Sequence, residues 1–281
     1  MHQCTYLYGQ RSITTLALFT ALALPGAMRA QMGLGLAPMR EDLTLAPGAT
    51  RSGVLNLANT TDQKVRVVAQ TLDFYLDSTA TPQFGPEYKQ EAEFSCRQWL
   101  VANPMEMELT GKAQIPVRYT VRVPSSATVR SYHCAIGFTT QPTAENTNAI
   151  GLRTAVQIVA SIYVVVGQPA LEGTVKDLKL EYVPDPKNPI WRAVVTINNA
   201  GLMHFRPQGD LDVLNENGVV VETAHFVPMP VLPMRDQNFL FPLKLAAEGK
   251  YTLRARVDLG GSEIQEATAL VVLTKPAPLP R

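Results

Sequence analysis

Apolar and polar positions alternate in short runs along most of the chain, and one run differs from the rest. Over residues 153–167, RTAVQIVASIYVVVG, the even positions Val156, Ile158, Ala160, Ile162, Val164 and Val166 are all apolar. The odd positions mix Gln157 and Ser161 with Ala155, Val159, Tyr163 and Val165. A strand of this pattern has one face dry along its whole length and the other only half so. It either closes the core of a β-domain or offers an apolar edge to another chain.

The segments around it read as shorter strands. Residues 37–45 form a first strand closed by the turn Ala46-Pro47-Gly48, and residues 52–58 a second, followed by the polar turn Asn59-Thr60-Thr61-Asp62. Residues 64–75 form a third. Its apolar parity changes from Val65, Val67 and Ala69 to Val68, Leu72 and Phe74, which predicts a bulge or a bend. Residues 77–94 read as a long polar loop. Three clean alternations follow: Met105, Met107 and Leu109; Ile115, Val117, Tyr119, Val121 and Val123; then Tyr132, Cys134, Ile136 and Phe138. Each predicts an antiparallel strand with one packed and one wet face. Pro116 lacks an amide donor and places its strand at an edge or a bulge. A second polar loop covers 141–151. About seven short strands in ~130 residues match the spacing of an immunoglobulin-like sandwich.

After Gly167-Gln168-Pro169 the pattern begins again. Leu178, Leu180 and Tyr182 alternate, as do Trp191, Ala193, Val195 and Ile197, with a turn over 184–189 between them. Leu211 and Val213 lead through the Asn215-Glu216-Asn217-Gly218 turn into a returning strand over 219–226. Phe239, Phe241, Leu243 and Leu245 alternate, then Tyr251, Leu253, Ala255 and Val257, and Gly260-Gly261 turns the chain into a last strand over 264–273. The expected fold is therefore all-β, two tandem immunoglobulin-like sandwiches over 31–168 and 169–275, with a Pro-rich tail at 276–281.

Residues 1–30 stand apart from this pattern. Arg11 precedes an apolar stretch over 13–24, which Pro25 and Gly26 break before the small residues Ala27 and Ala30. That is the order of a cleaved secretory leader, and the stretch is too short to span a bilayer. The mature chain is expected from about Gln31, in the periplasm or else outside the cell or on its surface. Cys4 leaves with the leader, so Cys96 and Cys134 remain, in an oxidising compartment, as a disulfide or as two separate buried thiols. With no histidine near them at ligand spacing, zinc is not expected. A formal charge of +1 over 281 residues, without a block of one sign, gives no reason to expect nucleic acid.

The chain carries no G-x-S-x-G, H-E-x-x-H, Walker loop or C-x-x-C, and His133, His204 and His225 are scattered. No enzyme, cofactor or metal is expected. His133 reads as a solvated strand residue, and Glu106 and Glu108 as alternate positions on a wet strand. Gly33-Leu34-Gly35 lacks the strand–helix context of a phosphate loop, and Asn59-Thr60-Thr61 fits a glycosylation acceptor where the host has the machinery.

The layout resembles the periplasmic pilus chaperones of the usher pathway. The run RSGVLNLAN over 51–59 is similar to their second strand, WLVANP over 99–104 to the segment leading into their fourth, and VRYTVRV over 117–123 to their fifth. The run ending at Gly167 stands in the place of their last strand, which they lend to an unfinished pilus subunit. The resemblance implies a non-enzymatic chaperone that holds secreted pilus or surface subunits by β-strand addition along Val156, Ile158, Ile162 and Val164, with an outer-membrane usher as a further partner. It implies Arg40 as the contact for the subunit's terminal carboxylate. The family's second clamp residue, a lysine on the last strand, has no counterpart, since no Lys or Arg occurs over 154–175. The chain is also similar in layout to the two-domain extracellular WxL-interacting proteins, through residues 233–243 followed by GKYTL at 249–253. That likeness implies the alternative of an adhesive cell-surface binding module.

Overall fold

The computed structural model describes residues 33–77, 81–85, 89–141, 155–184, 190–244 and 248–274. The expected leader, the expected polar loop of 141–151 from residue 142 on, the expected turn of 184–189 from residue 185 on, Leu245 and the expected Pro-rich tail lie outside them. Among the described residues the regular structure is strand with two short 3₁₀ turns, Lys89–Phe94 and Arg97–Trp99.

Four sheets form two sandwiches. The strands of the first are β1 (Leu34–Ala37), β2 (Arg40–Leu45), β3 (Thr50–Asn59), β4 (Val65–Leu76), β5 (Pro82–Gly85), β6 (Leu100–Asn103), β7 (Glu106–Leu109), β8 (Gln114–Arg122), β9 (Ser131–Gln141) and β10 (Gln157–Val166). One sheet runs β1-β3-β8-β6 and the other β2-β10-β9-β4-β5, with β7 also on β4. The second sandwich comprises β11 (Gly173–Val183), β12 (Ile190–Asn199), β13 (Gln208–Leu214), β14 (Val220–His225), β15 (Arg235–Leu243), β16 (Gly249–Asp258) and β17 (Ile264–Leu273). Its sheets are β11-β12-β15 and β14-β13-β16-β17. The alternating residues of each pair of sheets meet in one core: Leu55, Leu57, Val117, Tyr119, Ile136 and Ile162 in the first, and Val195, Ile197, Leu211, Leu253 and Phe239 in the second. Each such aliphatic side chain contributes about 1.5–3 kcal/mol by leaving water.

The disulfide joins Cys96, just ahead of the second 3₁₀ turn, to Cys134 on β9, with Cα atoms 5.2 Å apart and both residues fully buried. Trp99 packs on Tyr132 with ring centroids 4.3 Å apart. The Tyr132 hydroxyl donates to the Thr128 carbonyl at 3.0 Å, the tyrosine corner of immunoglobulin sandwiches.

The structure corrects the sequence-based expectation in five places. Residues 37–45 are not one strand: the chain breaks at Pro38, which has no donor for a ladder, so β1 pairs with β3 in one sheet and β2 with β10 in the other. The parity change in β4 is not a bulge, because its pairing with β9 runs without a shift from Arg66 to Leu72. Val67 and Ala69 face the sandwich core, whereas Leu72, Phe74 and Leu76 face the other way into a second apolar cluster with Ala135, Tyr163 and Leu232. That cluster covers the outer face of β9, so His133 is not solvated but 3% exposed, with its ring 4.9 Å from Phe74. Within the expected polar loop, Pro82–Gly85 forms β5 against the end of β4. The strand of Pro116 is neither an edge strand nor bulged: β8 lies between β3 and β6 with no shift of register at Pro116. β8 pairs with β3 throughout, but β6 reaches only as far as Arg118.

Candidate strand-addition edge and the junction beside it

β10 has a different neighbour on each side. It pairs antiparallel with β9 from Gln157↔Thr139 to Val165↔Ser131. On its other side β2 pairs with it in parallel, but only from Ser161↔Arg40 to Val166↔Leu45. The first contact on that side is the Ser161 amide donating to the Met39 carbonyl at 3.0 Å, and the last is the Gly167 amide donating to Leu45 at 2.9 Å. Gly167 then turns out of the strand at φ 70°, a conformation that favours glycine.

The half of β10 ahead of Ser161 has β9 alone beside it among the described strands. The cause is the crossing of the chain at Pro38: residues ahead of it leave the β10 edge and join β3. Main-chain groups alternate along a strand. The Thr140 amide donates to the Val156 carbonyl at 2.9 Å, and the Val166 amide to the Arg130 carbonyl at 2.9 Å, so even residues address β9. Ser161 and Gly167 address β2. By that alternation the N–H and C=O of Gln157 and Val159 point to the edge that β2 leaves uncovered.

The expected binding residues divide along this boundary. Val156 and Ile158 are half-buried and lie on the uncovered half, with Ile158 against the sandwich core. Ile162 and Val164 are fully buried and lie where β2 covers the edge. Arg40 is the first residue of β2, at the point where cover begins. The structure therefore brings Arg40, Val156 and Ile158 to one end of the edge and keeps Ile162 and Val164 in the core.

Next to Arg40 lies a polar cluster that connects the two sandwiches. Asp42 Oδ2 accepts from Arg40 Nε at 3.0 Å, and Asp42 Oδ1 accepts from Arg206 Nη1 at 3.0 Å. His204 Nε2 stands 3.6 Å from Asp42. Burial raises the Asp42 carboxyl, but contact with His204 and the charges of Arg206 and Arg40 outweigh it and hold the group below its ordinary range. The Ser131 hydroxyl lies 3.0 Å from both the His204 amide and His204 Nδ1. The hydroxyl accepts from the amide and can donate to Nδ1, which assigns the ring proton to Nε2, facing Asp42. Burial lowers the pKa of His204 below its usual value, with Asp42 opposing and Arg206 assisting. The Arg206 guanidinium covers the Tyr163 ring at 4.6 Å, and burial pushes the Tyr163 hydroxyl up to about 12. Beside this cluster Leu232 packs into the apolar surface of Leu72, Phe74, Leu76, Ala135 and Tyr163. The Ser131 amide donates to Leu202 at 2.8 Å, and Arg235 donates to the Leu76 carbonyl at 3.1 Å. Asp42, Ser131, His204, Arg206 and Leu232 have no shared motif or spacing, so sequence reasoning passed over them.

The remaining candidate chemistry resolves into structural roles. Glu106 and Glu108 pair with Arg66 and Lys64 across β4 and β7 on an exposed face. Gly33-Leu34-Gly35 leads into β1, with Leu34 buried. Asn59 does not present a glycosylation acceptor: it is 2% exposed, and its side-chain amide donates to the carbonyls of Gln63, Thr110 and Leu109 at 2.7, 3.0 and 3.3 Å. Asn199 fills the same role in the second sandwich, donating to Met203 and Val231. Among the described residues no group of three or more His, Cys, Asp or Glu is placed to hold a metal ion. None of their helices is long and apolar enough to cross a membrane.

A two-sandwich β-protein with one half-covered strand edge beside its inter-sandwich junction is the class of molecule this geometry defines. No protein-family model matches the chain, and neither does any curated protein. Solved structures similar to it include the class 5 fimbriae chaperone CfaA, at 13% identity and a TM-score of 0.43 over 86% of this chain and 100% of that one. The YadV chaperone matches at 12% identity and 0.44 over 85% and 100%. The E. coli chaperone DraB matches at 17% identity and 0.40 over 84% and 98%.

Proposed function

We propose that this chain is an exported, non-enzymatic chaperone-like protein of the periplasm that holds a secreted pilus or surface subunit by β-strand addition to the uncovered half of β10. The observation that carries the reading is the register of β2, which starts at Ser161 and leaves the main-chain groups of Gln157 and Val159 on an edge that no other described strand pairs with. An added strand would use those groups for its ladder and cover the half-buried Val156 and Ile158. Direction follows from charge. A strand lying parallel to β10 on that edge would end where β2 begins, with its terminal carboxylate against Arg40, whereas an antiparallel one would bring its amino terminus to the same guanidinium. Arg40 favours the first.

The test uses Val159→Pro, which removes one donor from the open edge and leaves the β9 ladder intact, because even residues make that ladder. The mature protein and the variant are isolated from the native periplasm, their folding compared by melting temperature, and the co-purifying chains identified. A small secreted subunit held by the wild type and lost from a folded Val159→Pro is the expected result. A wild type that emerges alone, or a partner the variant retains, overturns the reading.

A further inference from the structure

Asp42 lies between two arginines that come from different sandwiches, and only one of them is open to solvent. The Arg40 side chain is 51% exposed and that of Arg206 is 14% exposed. Arg206 is fixed from two sides, by the Tyr163 ring beneath it and by Asp42 at its Nη1. His204, the other group against Asp42, has its pKa lowered by burial and its Nδ1 against the Ser131 hydroxyl, so at neutral pH it adds no full charge. The cluster thus holds two positive charges against one negative, and the surplus lies at its exposed end, on Arg40. Without Arg206, Asp42 and Arg40 would form a closed pair with no net charge.

We propose that Arg206 is a positioning residue of the strand-addition site: it takes up the charge of Asp42 across the junction, so that Arg40 presents a net positive charge to the carboxyl end of an added strand. This inference rests on the strand-addition reading and assigns the second cation of the site to the second sandwich, in a chain whose last strand of the first sandwich carries none. It also couples the site to the junction, since Arg206 keeps its place only while the two sandwiches stay in contact.

The probe is a pair of nine-residue peptides of one alternating Val/Thr sequence, one ending in a free carboxylate and the other in an amide, with binding measured by calorimetry. A single partly exposed charge pair supports a preference of about fivefold for the acid. Arg206→Met should abolish that preference and bring the two peptides to equal affinity. Adding Asp42→Asn to Arg206→Met restores the surplus charge and should restore the preference, which a purely structural role for Arg206 would not do. If Arg206→Met keeps the preference, or the double variant folds without recovering it, the inference is overturned. Equal binding of both peptides to the wild type, lost in Val159→Pro, overturns it and leaves strand addition standing. Failure of the wild type to bind either peptide overturns both.

Discussion

His133 couples the stability of the first sandwich to pH. It lies on β9 beneath the apolar cluster of Phe74, Leu72 and Tyr163, where burial pushes its imidazole down from 6.5 to about 4, against the opposing pull of a hydrogen bond with the Phe74 backbone and the charge of Asp73. In the unfolded chain the same ring titrates near 6.5. The folded state therefore favours the neutral ring, and the stabilisation is complete above the unfolded value and drains as pH falls through 6.5 towards 4. At ~1.4 kcal/mol per unit, the loss between pH 7.5 and 4.5 is roughly 2–3 kcal/mol. Urea midpoints of the wild type and His133→Leu at both pH values isolate it, because carboxylates and His204 are common to the two proteins and cancel in the difference. Leucine suits the apolar site, and the variant should lose about 2 kcal/mol less than the wild type between those pH values. Equal losses in the two proteins would refute the argument that this ring is buried neutral.

Two further outcomes follow from Asn59 and from the disulfide. Asn59→Ala removes a side chain that donates to three carbonyls and accepts from the Thr61 amide and hydroxyl at 3.0 and 2.7 Å, and chemical denaturation should show a loss of about 2–3 kcal/mol. A change within ~0.5 kcal/mol, the scatter of surface substitutions, would mean that water replaces these bonds. Replacing both Cys96 and Cys134 by alanine opens a loop with a sequence separation of 38, and the chain-entropy relation puts the loss at ~4 kcal/mol. The same loss should appear on reduction of the wild type, and a midpoint unmoved by reductant would show that the bridge contributes nothing.

The parts legible in the sequence are those set by local alternation. β8 and β16 have a dry parity and a wet one, and their buried residues are the ones the pattern picks out, Val117, Tyr119 and Val121 in one and Leu253, Ala255 and Val257 in the other. β9 misled because its outward positions, His133, Ala135 and Gly137, are uncharged rather than strongly apolar. What covers them is the far end of β4 with Leu232 from the second sandwich, and nothing near residue 133 announces that contact. The break at Pro38 was similarly hidden, since both halves of 37–45 have strand character and only the choice of partner separates them. Asp42 and Arg206 are 164 positions apart, and a pair at that distance leaves no trace in a single sequence.

β10 shows where the boundary between legible and hidden runs, because both conditions occur within one strand. From Tyr163 onward both parities are apolar and every residue to Val166 is buried, which is the pattern of a strand with packing on both faces. Ahead of that, Gln157 and Ser161 interrupt the odd set, and the odd positions 157, 159 and 161 are half-buried or exposed. The change in composition thus marks the change in burial of the faces. It does not mark the edge, which is covered by main-chain bonds that any side chain permits. β2 begins to cover β10 at Ser161, two residues before the composition changes, because its start is set by Pro38 more than a hundred positions earlier. A site made of main-chain groups on a strand edge is therefore readable only once the partner strand has been placed, while the side chains that would anchor its occupant, Arg40 above all, can be proposed from position alone.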